Sequence, residues 1–503
     1  MIDTKIRTIF LTLLLIPAQL SFAQKNIELT LETAWDIAIN NSYDVRQLQL
    51  GVERSRKWLE AERADLKSRI YMRLRAPEIN QVADYKWDSD RQRDVLIQQN
   101  TQRWQVDLAI RQPVILFGYP TNGYLSLNNQ MYKYIQKNGQ NDTNFYNRYF
   151  IKYEQPFFQP NNLKNNLEDA ELDLEDREID FLQDIVRMLD DVADDYFDLF
   201  RLSYRGTIYS NQVENLEQAS AVAAEITEQD SSRIIEMNQI QVELSNAEER
   251  LLQNRSDLRL RSARLKQDLR LSESDSLIIK PTINITAVDV EVENAVQLGY
   301  RHRPIVRELD IIKRKRELDL DNTKGWNSFR VNLEVTYGLE KQDDIYANLW
   351  QEQDNSYSVT LNAYVPLVDW GQQKARLQAR KLSIQSMELR IEETQNNIRS
   401  QITNDIANLN EYEQRATNMQ ENMRMAKQIS DVSINQYRDG RIALQDLLQT
   451  IERQRETELN FLEAYLGYRR SLFSLTEDTY YDFEKDISLI ESLKQYELGL
   501  SRF

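Results

Sequence analysis

The acidic pairs Asp190-Asp191 and Asp194-Asp195 come nearest, in residue type and spacing, to the paired carboxylates that cleave a glycosidic bond. They lie beside an apolar heptad, where a run of carboxylates reads as a solvated helix face. Other reactive constellations lack material. Cys is absent, which excludes disulfides, thiolate metal sites and Cys nucleophiles. The single histidine, His302, cannot furnish a His-rich metal site and reads as solvated or structural. A net charge of −17 argues against nucleic acid held on a basic face. No catalytic residue, metal or cofactor is therefore expected, and an exported enzyme is disfavoured.

The elements that carry these residues are long. The chain has 503 residues but only 12 Gly and 9 Pro. Turns depend on those two residue types, so their scarcity predicts few turns. Residues 161–280 contain no Pro, and Ile179, Leu182, Val186, Leu189, Ala193, Tyr196 and Phe200 recur there at alternating spacings of three and four. That is a heptad seam of packed helices. Residues 372–498 also lack Pro, and Leu444, Leu448, Ile451, Leu462, Tyr465 and Leu472 share a seam interrupted by Arg455, Glu458 and Arg469.

A period of two appears elsewhere. In 329–337, Phe329, Val331, Leu333, Val335 and Tyr337 alternate with polar residues, and 357–367 repeats the pattern from Tyr357 to Leu367. Runs of roughly 9–11 residues with one apolar side match strands that face lipid on one side and water on the other. The first residues, MIDTKIRTIFLTLLLIPAQLSFA, combine Lys5 and Arg7, a short apolar core and small residues at Ser21 and Ala23. They read as an export signal cleaved after Ala23. No Cys follows it, so no lipid anchor is expected.

The chain is duplicated. LETAWDIAINNSYDVRQL (31–48) aligns with VENAVQLGYRHRPIVREL (292–309) at an offset of 261. Further on, QPFFQPNNLK (155–164) aligns with VPLVDWGQQK (365–374) at an offset of 210, with Pro156 on Pro366. The difference, 51 residues, is an insertion in about 77–147 of the first half. It holds alternating runs such as Trp104, Val106, Leu108 and Ile110, and its RQPVILFG (111–118) echoes the strand ends. It reads as an enlarged loop with its own β-hairpin; the other reading makes some of its runs spanning strands.

With this order and duplication the chain resembles the TolC family of outer-membrane efflux and secretion channels. The resemblance rests on LTLETAWDIAINNSYDV, on VPLVDWGQQKARLQA, and on YRDGRIALQDLLQTIERQRETELNFLEAYLGYRRSLFSL, over about 28–478. It implies a mainly α fold with membrane β, each half running helix-helix-strand-strand-helix-helix. The first repeat would span 24–280, with strands within about 68–158 and a long hairpin about 163–270. The second would span 281–478, with strands about 328–338 and 356–367 and a hairpin about 372–477. A tail, 479–503, would join an equatorial belt. A homotrimer would close a 12-stranded β-barrel in outer-membrane lipid, continued by a periplasmic α-barrel.

The resemblance also implies sites and partners. The hairpin tips would form a periplasmic entrance that docks an adaptor (membrane fusion) protein and, through it, an inner-membrane RND or ABC pump. One tip carries Tyr437, Gly440, Asp446 and Leu447. The other carries Gln229 and Asp230 and lacks Gly. Asp431, nine residues before Gly440, is the candidate gate, with Glu225 and Glu228 its weaker counterparts. Pro156, Pro366 and Gly371 mark strand-to-helix junctions. The alternative reading is a soluble periplasmic coiled-coil scaffold, which leaves the alternating runs without a purpose.

Overall fold

The Pro-free stretches become long helices. The computed structural model describes residues 26–138, 140–494 and 496. In chain order the first elements are β1 (Asn26–Glu28), α1 (Leu31–Asn41), α2 (Tyr43–Asp65), β2 (Arg69–Asp88), β3 (Arg93–Leu116), β4 (Tyr119–Asn138) and β5 (Gln140–Phe157). Two helices follow, α3 (Asn162–Gln229) and α4 (Ile234–Asp268). The second half comprises β6 (Ser276–Ile278), α5 (Val292–His302), α6 (Pro304–Gly325), β7 (Arg330–Asp343), β8 (Asp354–Tyr364), α7 (Gln372–Arg438) and α8 (Leu444–Thr479). Short β9 (Tyr481–Asp482), β10 (Ile487–Ser488) and α9 (Leu489–Lys494) finish it. The export signal read in 1–23 lies outside the described residues, as does the 479–503 tail beyond Lys494, apart from Tyr496. Among the described residues, no helix is long and apolar enough to cross a membrane.

The chain forms two compact units. The first comprises Met1–Val45 (described from Asn26), Arg187–Ala287 and Leu409–Ser471. In it β1 lies parallel to β6, with Asn26 opposite Ser276. Thr30 caps α1 through a reciprocal pair of bonds with Thr33, a device that satisfies two otherwise orphaned donors. Ala34 and Ala38 of α1 then pack against Leu199, Leu265 and Leu269, and the Trp35 indole donates to the Leu189 carbonyl at 2.9 Å. Within this unit Leu189, Ala193 and Phe200 of the predicted seam are buried.

The second unit comprises Arg46–Val186, Val288–Asn408 and Leu472–Phe503. Its stretch of the seam, Ile179, Leu182 and Val186, is at most 2% exposed. Burying each such side chain contributes about 1.5–3 kcal/mol. Arg307 and Arg314 of α6 bind Glu175 and Glu168 of α3, each at 2.6 Å. Pro304 opens α6, where its fixed φ and missing N–H suit the first helical position.

The sheet differs from the expected two strands per half. It has six strands in the order β2-β3-β4-β5-β7-β8, every neighbouring pair antiparallel. The insertion does carry a hairpin, but its strands β3 and β4 are paired into the main sheet between β2 and β5 instead of standing apart as a loop. Strand alternation is a local pattern, while membership of a sheet is decided by distant partners, so the count was open in the sequence.

Candidate functional site

Alternation along each strand becomes two faces across the sheet. Ile70, Ile110, Leu127, Ile151, Tyr337 and Tyr357 stand directly opposite one another, one from each strand. All six are exposed within the chain, from 37% to 80%. One residue away, on the opposite face, the row reads Arg69, Arg111, Ser126, Lys152, Thr336 and Ser358. Lys152 there binds Glu154 at 2.5 Å and Glu334 at 3.0 Å, and Arg111 reaches Glu154 at 3.4 Å. A sheet with an unbroken apolar row on one side and ion pairs on the other suits lipid outside and water within.

The helix-side ends of the strands are built by short side-chain caps. Asn161 accepts from the Lys164 backbone N–H at 3.1 Å and starts α3. Asp369 accepts from the N–H groups of Gly371 and Gln373 at 2.9 and 3.0 Å and starts α7. These bonds, the Gln373 N–H foremost, hold the Asp369 carboxyl below its usual range. Gly371 has φ +82°, a left-handed conformation that favours glycine. Pro156 lies inside β5 opposite Asn332, and Pro366 lies in the link between β8 and α7. The inserted hairpin is tied in here too. Asn122 donates to the Pro160 carbonyl at 3.2 Å, Thr121 to Gln155 at 3.3 Å, and Asn161 to the Pro120 carbonyl.

The two hairpin tips use different chemistry for the same turn. At the α7–α8 tip, Gly440 has φ +68°. Its N–H bonds the Tyr437 carbonyl at 3.0 Å, and the Arg441 N–H bonds the Gln436 carbonyl at 2.8 Å, the pair of bonds that closes a helix on a left-handed residue. At the α3–α4 tip, Asp230 replaces glycine. Its carboxylate accepts from the Ser232 N–H at 3.0 Å and hydroxyl at 2.7 Å, and those bonds hold it below the usual range. A short 3-10 turn, Ser231–Arg233, then leads into α4.

Both tips share one core, in which Leu216, Ala219, Val222 and Ile240 meet Ile434, Tyr437, Leu444 and Leu447. Tyr437 and Leu447 are therefore internal, at 1% and 0% exposure. They position the tip from within, while Gln229, Asp230, Gly440 and Asp446 lie on its surface. The Tyr437 hydroxyl donates to Glu236 at 3.0 Å, and Arg233 clasps that carboxylate at 3.1 and 2.6 Å. Burial, then Glu236, pushes the Tyr437 phenol up to about 12. Sequence reading missed this tie, because Glu236 and Tyr437 are 201 residues apart. Asp431 is exposed on α7 immediately before Val432, which is exposed together with Met425 and Ile429.

The Asp194-Asp195 pair of α3 is engaged by arginine. Asp195 binds Arg261 at 2.7 Å, Asp194 lies 3.4 Å from Arg470, and Asp198 meets both arginines. A second acidic cluster escaped the sequence reading. Asp478 lies 3.1 Å from Arg303. Burial and then the bond to Asp478 push the neighbouring Asp405 carboxyl up to about 7. His302, half-buried, is held below its usual value by burial and by Arg301.

No protein-family profile matches the chain, and no curated protein matches it significantly. Solved structures do. CusC, described for its folding and transmembrane channel formation, is 13% identical over 91% of this chain and 93% of that one, with a TM-score of 0.65. The CmeC outer membrane channel of Campylobacter jejuni is 12% identical over 95% and 93%, with a TM-score of 0.64. The outer membrane protein VceC of Vibrio cholerae is 12% identical over 89% and 95%, with a TM-score of 0.61. Nearly the whole chain therefore has the fold of these outer-membrane channels.

Proposed function

We propose that this chain is an export duct of the outer membrane, a passive channel of the TolC type that serves a tripartite efflux or type I secretion system. The observation that carries the reading is the sheet: one apolar row spans all six strands and an ion-paired polar row lies behind it. A soluble scaffold has no use for that face. The fold shared with outer-membrane channels over nine-tenths of the chain supports the same reading.

In this reading three copies close the barrel in outer-membrane lipid, and the helical hairpins reach into the periplasm. The tip surface of Gln229, Asp230, Gly440 and Asp446 docks a periplasmic adaptor, which links the duct to an inner-membrane RND or ABC pump. The duct itself performs no chemistry on its cargo and needs no cofactor. Asp431, repeated by the threefold axis, forms an acidic ring at the entrance, where rings of carboxylates raise cation occupancy.

The test is fractionation followed by planar-bilayer recording. Outer-membrane location, a heat-modifiable trimer band and ion-conducting steps are expected. Recovery as a soluble periplasmic protein without conductance would return the scaffold reading.

A further inference from the structure

We infer that the inserted strands β3 and β4 form part of the membrane wall, so that three copies close an eighteen-stranded barrel instead of one of twelve. The inference rests on the channel reading above and extends it to the width of the pore.

The sheet has six strands, of which the 51-residue insertion supplies the additional pair. Ile110 of β3 and Leu127 of β4 occupy the same apolar row as Ile70, Ile151, Tyr337 and Tyr357. Their neighbours Arg111 and Ser126 occupy the same polar row as Lys152 and Thr336. An appended loop outside the membrane has no reason to keep that register. β3 and β4 have 24 and 20 residues, well beyond the roughly 9–11 needed to cross a bilayer. The bonds of Asn122 and Asn161 also tether their turn to the β5–α3 junction, so the hairpin is held in the wall at its helix-side end.

The edges point to a second copy as the occupant. β2 and β8 are the outer strands, with no further strand on either side among the described residues. Six strands alternating in direction leave β2 and β8 antiparallel to each other. The β8 edge of one copy therefore meets the β2 edge of the next in the orientation that extends the sheet, and a ring of copies leaves no open edge. An open edge at membrane depth leaves backbone donors without water or partner, so closure is required. Barrel diameter grows roughly linearly with strand number, and about 16–18 strands enclose an aqueous channel of porin width. Eighteen strands make the membrane section about one and a half times as wide as twelve.

The absence of native Cys makes the test direct. A bimane fluorophore is placed singly at I110C, L127C, V359C and S358C in the full-length protein, reconstituted in vesicles with and without brominated phospholipid. The expected result is that the I110C, L127C and V359C probes lose most of their emission to brominated lipid, while S358C, on the exposed polar row, keeps its emission and is quenched by aqueous iodide. Loss at V359C alone would overturn the eighteen-stranded wall and leave the channel reading standing. No loss at any of the three would overturn the channel reading as well. Independently, amine cross-linking of the purified full-length protein, which needs no assumed register between copies, should give a covalent ladder that stops at three copies. A ladder stopping at two or four would overturn the strand number.

Discussion

Phe117 and Trp370 adopt the same left-handed backbone, with φ 53° and 54°, and each precedes a glycine, Gly118 at φ 85° and Gly371 at φ 82°. Both are almost fully exposed, at 100% and 96%. The shared sequence is Pro-x-x-x-aromatic-Gly, from Pro113 to Gly118 and from Pro366 to Gly371. In one case the turn sends β3 back as β4, and in the other it sends the chain into α7. The two turns differ in the partners of their flanking residues: Tyr119 pairs with Leu116, whereas Asp369 caps the first turn of a helix.

Gly371→Ala isolates that conformation, because an added Cβ would meet nothing within 4 Å. The cost is the left-handed strain alone, about 1–2 kcal/mol. Thermal melting of the purified protein should show the loss. Gly440→Ala, with φ +68° and the same open space, should cost a similar amount, and an unchanged melting temperature in both would contradict the turn assignments.

Tyr437→Phe removes one hydrogen bond and leaves the ring packed. The hydroxyl is donated to a carboxylate inside the tip, so the expected loss is about 1.5–3 kcal/mol. Glu236→Ala should couple with it, because both delete the same contact. A double-mutant cycle with purely additive effects would show that the bond contributes nothing to tip stability.

Asp405 predicts a pH dependence. An unfolded Asp titrates near about 3.9, and the folded carboxyl is pushed up to about 7 by burial and by Asp478. Between those values the folded chain holds a proton that the unfolded chain releases. Stability therefore falls as pH rises through that window. Asp405→Asn should flatten the dependence and raise the melting temperature at pH 7.5 relative to the parent. A parent and variant with parallel melting curves from pH 4.5 to 7.5 would rule the group out.

Asp431 predicts selectivity. Single-channel recordings in a salt gradient should show a cation preference and block by trivalent cations. Asp431→Asn should weaken both without changing the amount of trimer recovered. A variant with the parent reversal potential would remove Asp431 from the gate.

Much of this architecture is legible in the order of the residues. Periodicity marks seam positions that prove to be buried, such as Ile179, Leu182 and Leu462. Self-alignment places Pro156 and Pro366 at matching strand ends, and Gly440 reads as a turn because a left-handed residue ends a helix in that way. The Asp230 turn is harder to read, since an Asp capping its own backbone looks like any other surface acid. The roles of Tyr437 and Leu447 are open in the sequence for a similar reason: the hairpin pattern shows that they sit at a tip, and only packing shows that they face its interior.

By itself the sequence determined the long helices, the duplication and the alternating runs, because each is a local periodicity or a self-comparison along the chain. Only the tertiary structure decided how many runs join one sheet, which rows they share, and which acids meet. Those relationships bring together residues far apart along the chain, such as Asp198 with Arg470, Glu236 with Tyr437 and Ile151 with Tyr337. No local pattern encodes them, because hydrogen-bond register and side-chain pairing are settled between segments and not within them.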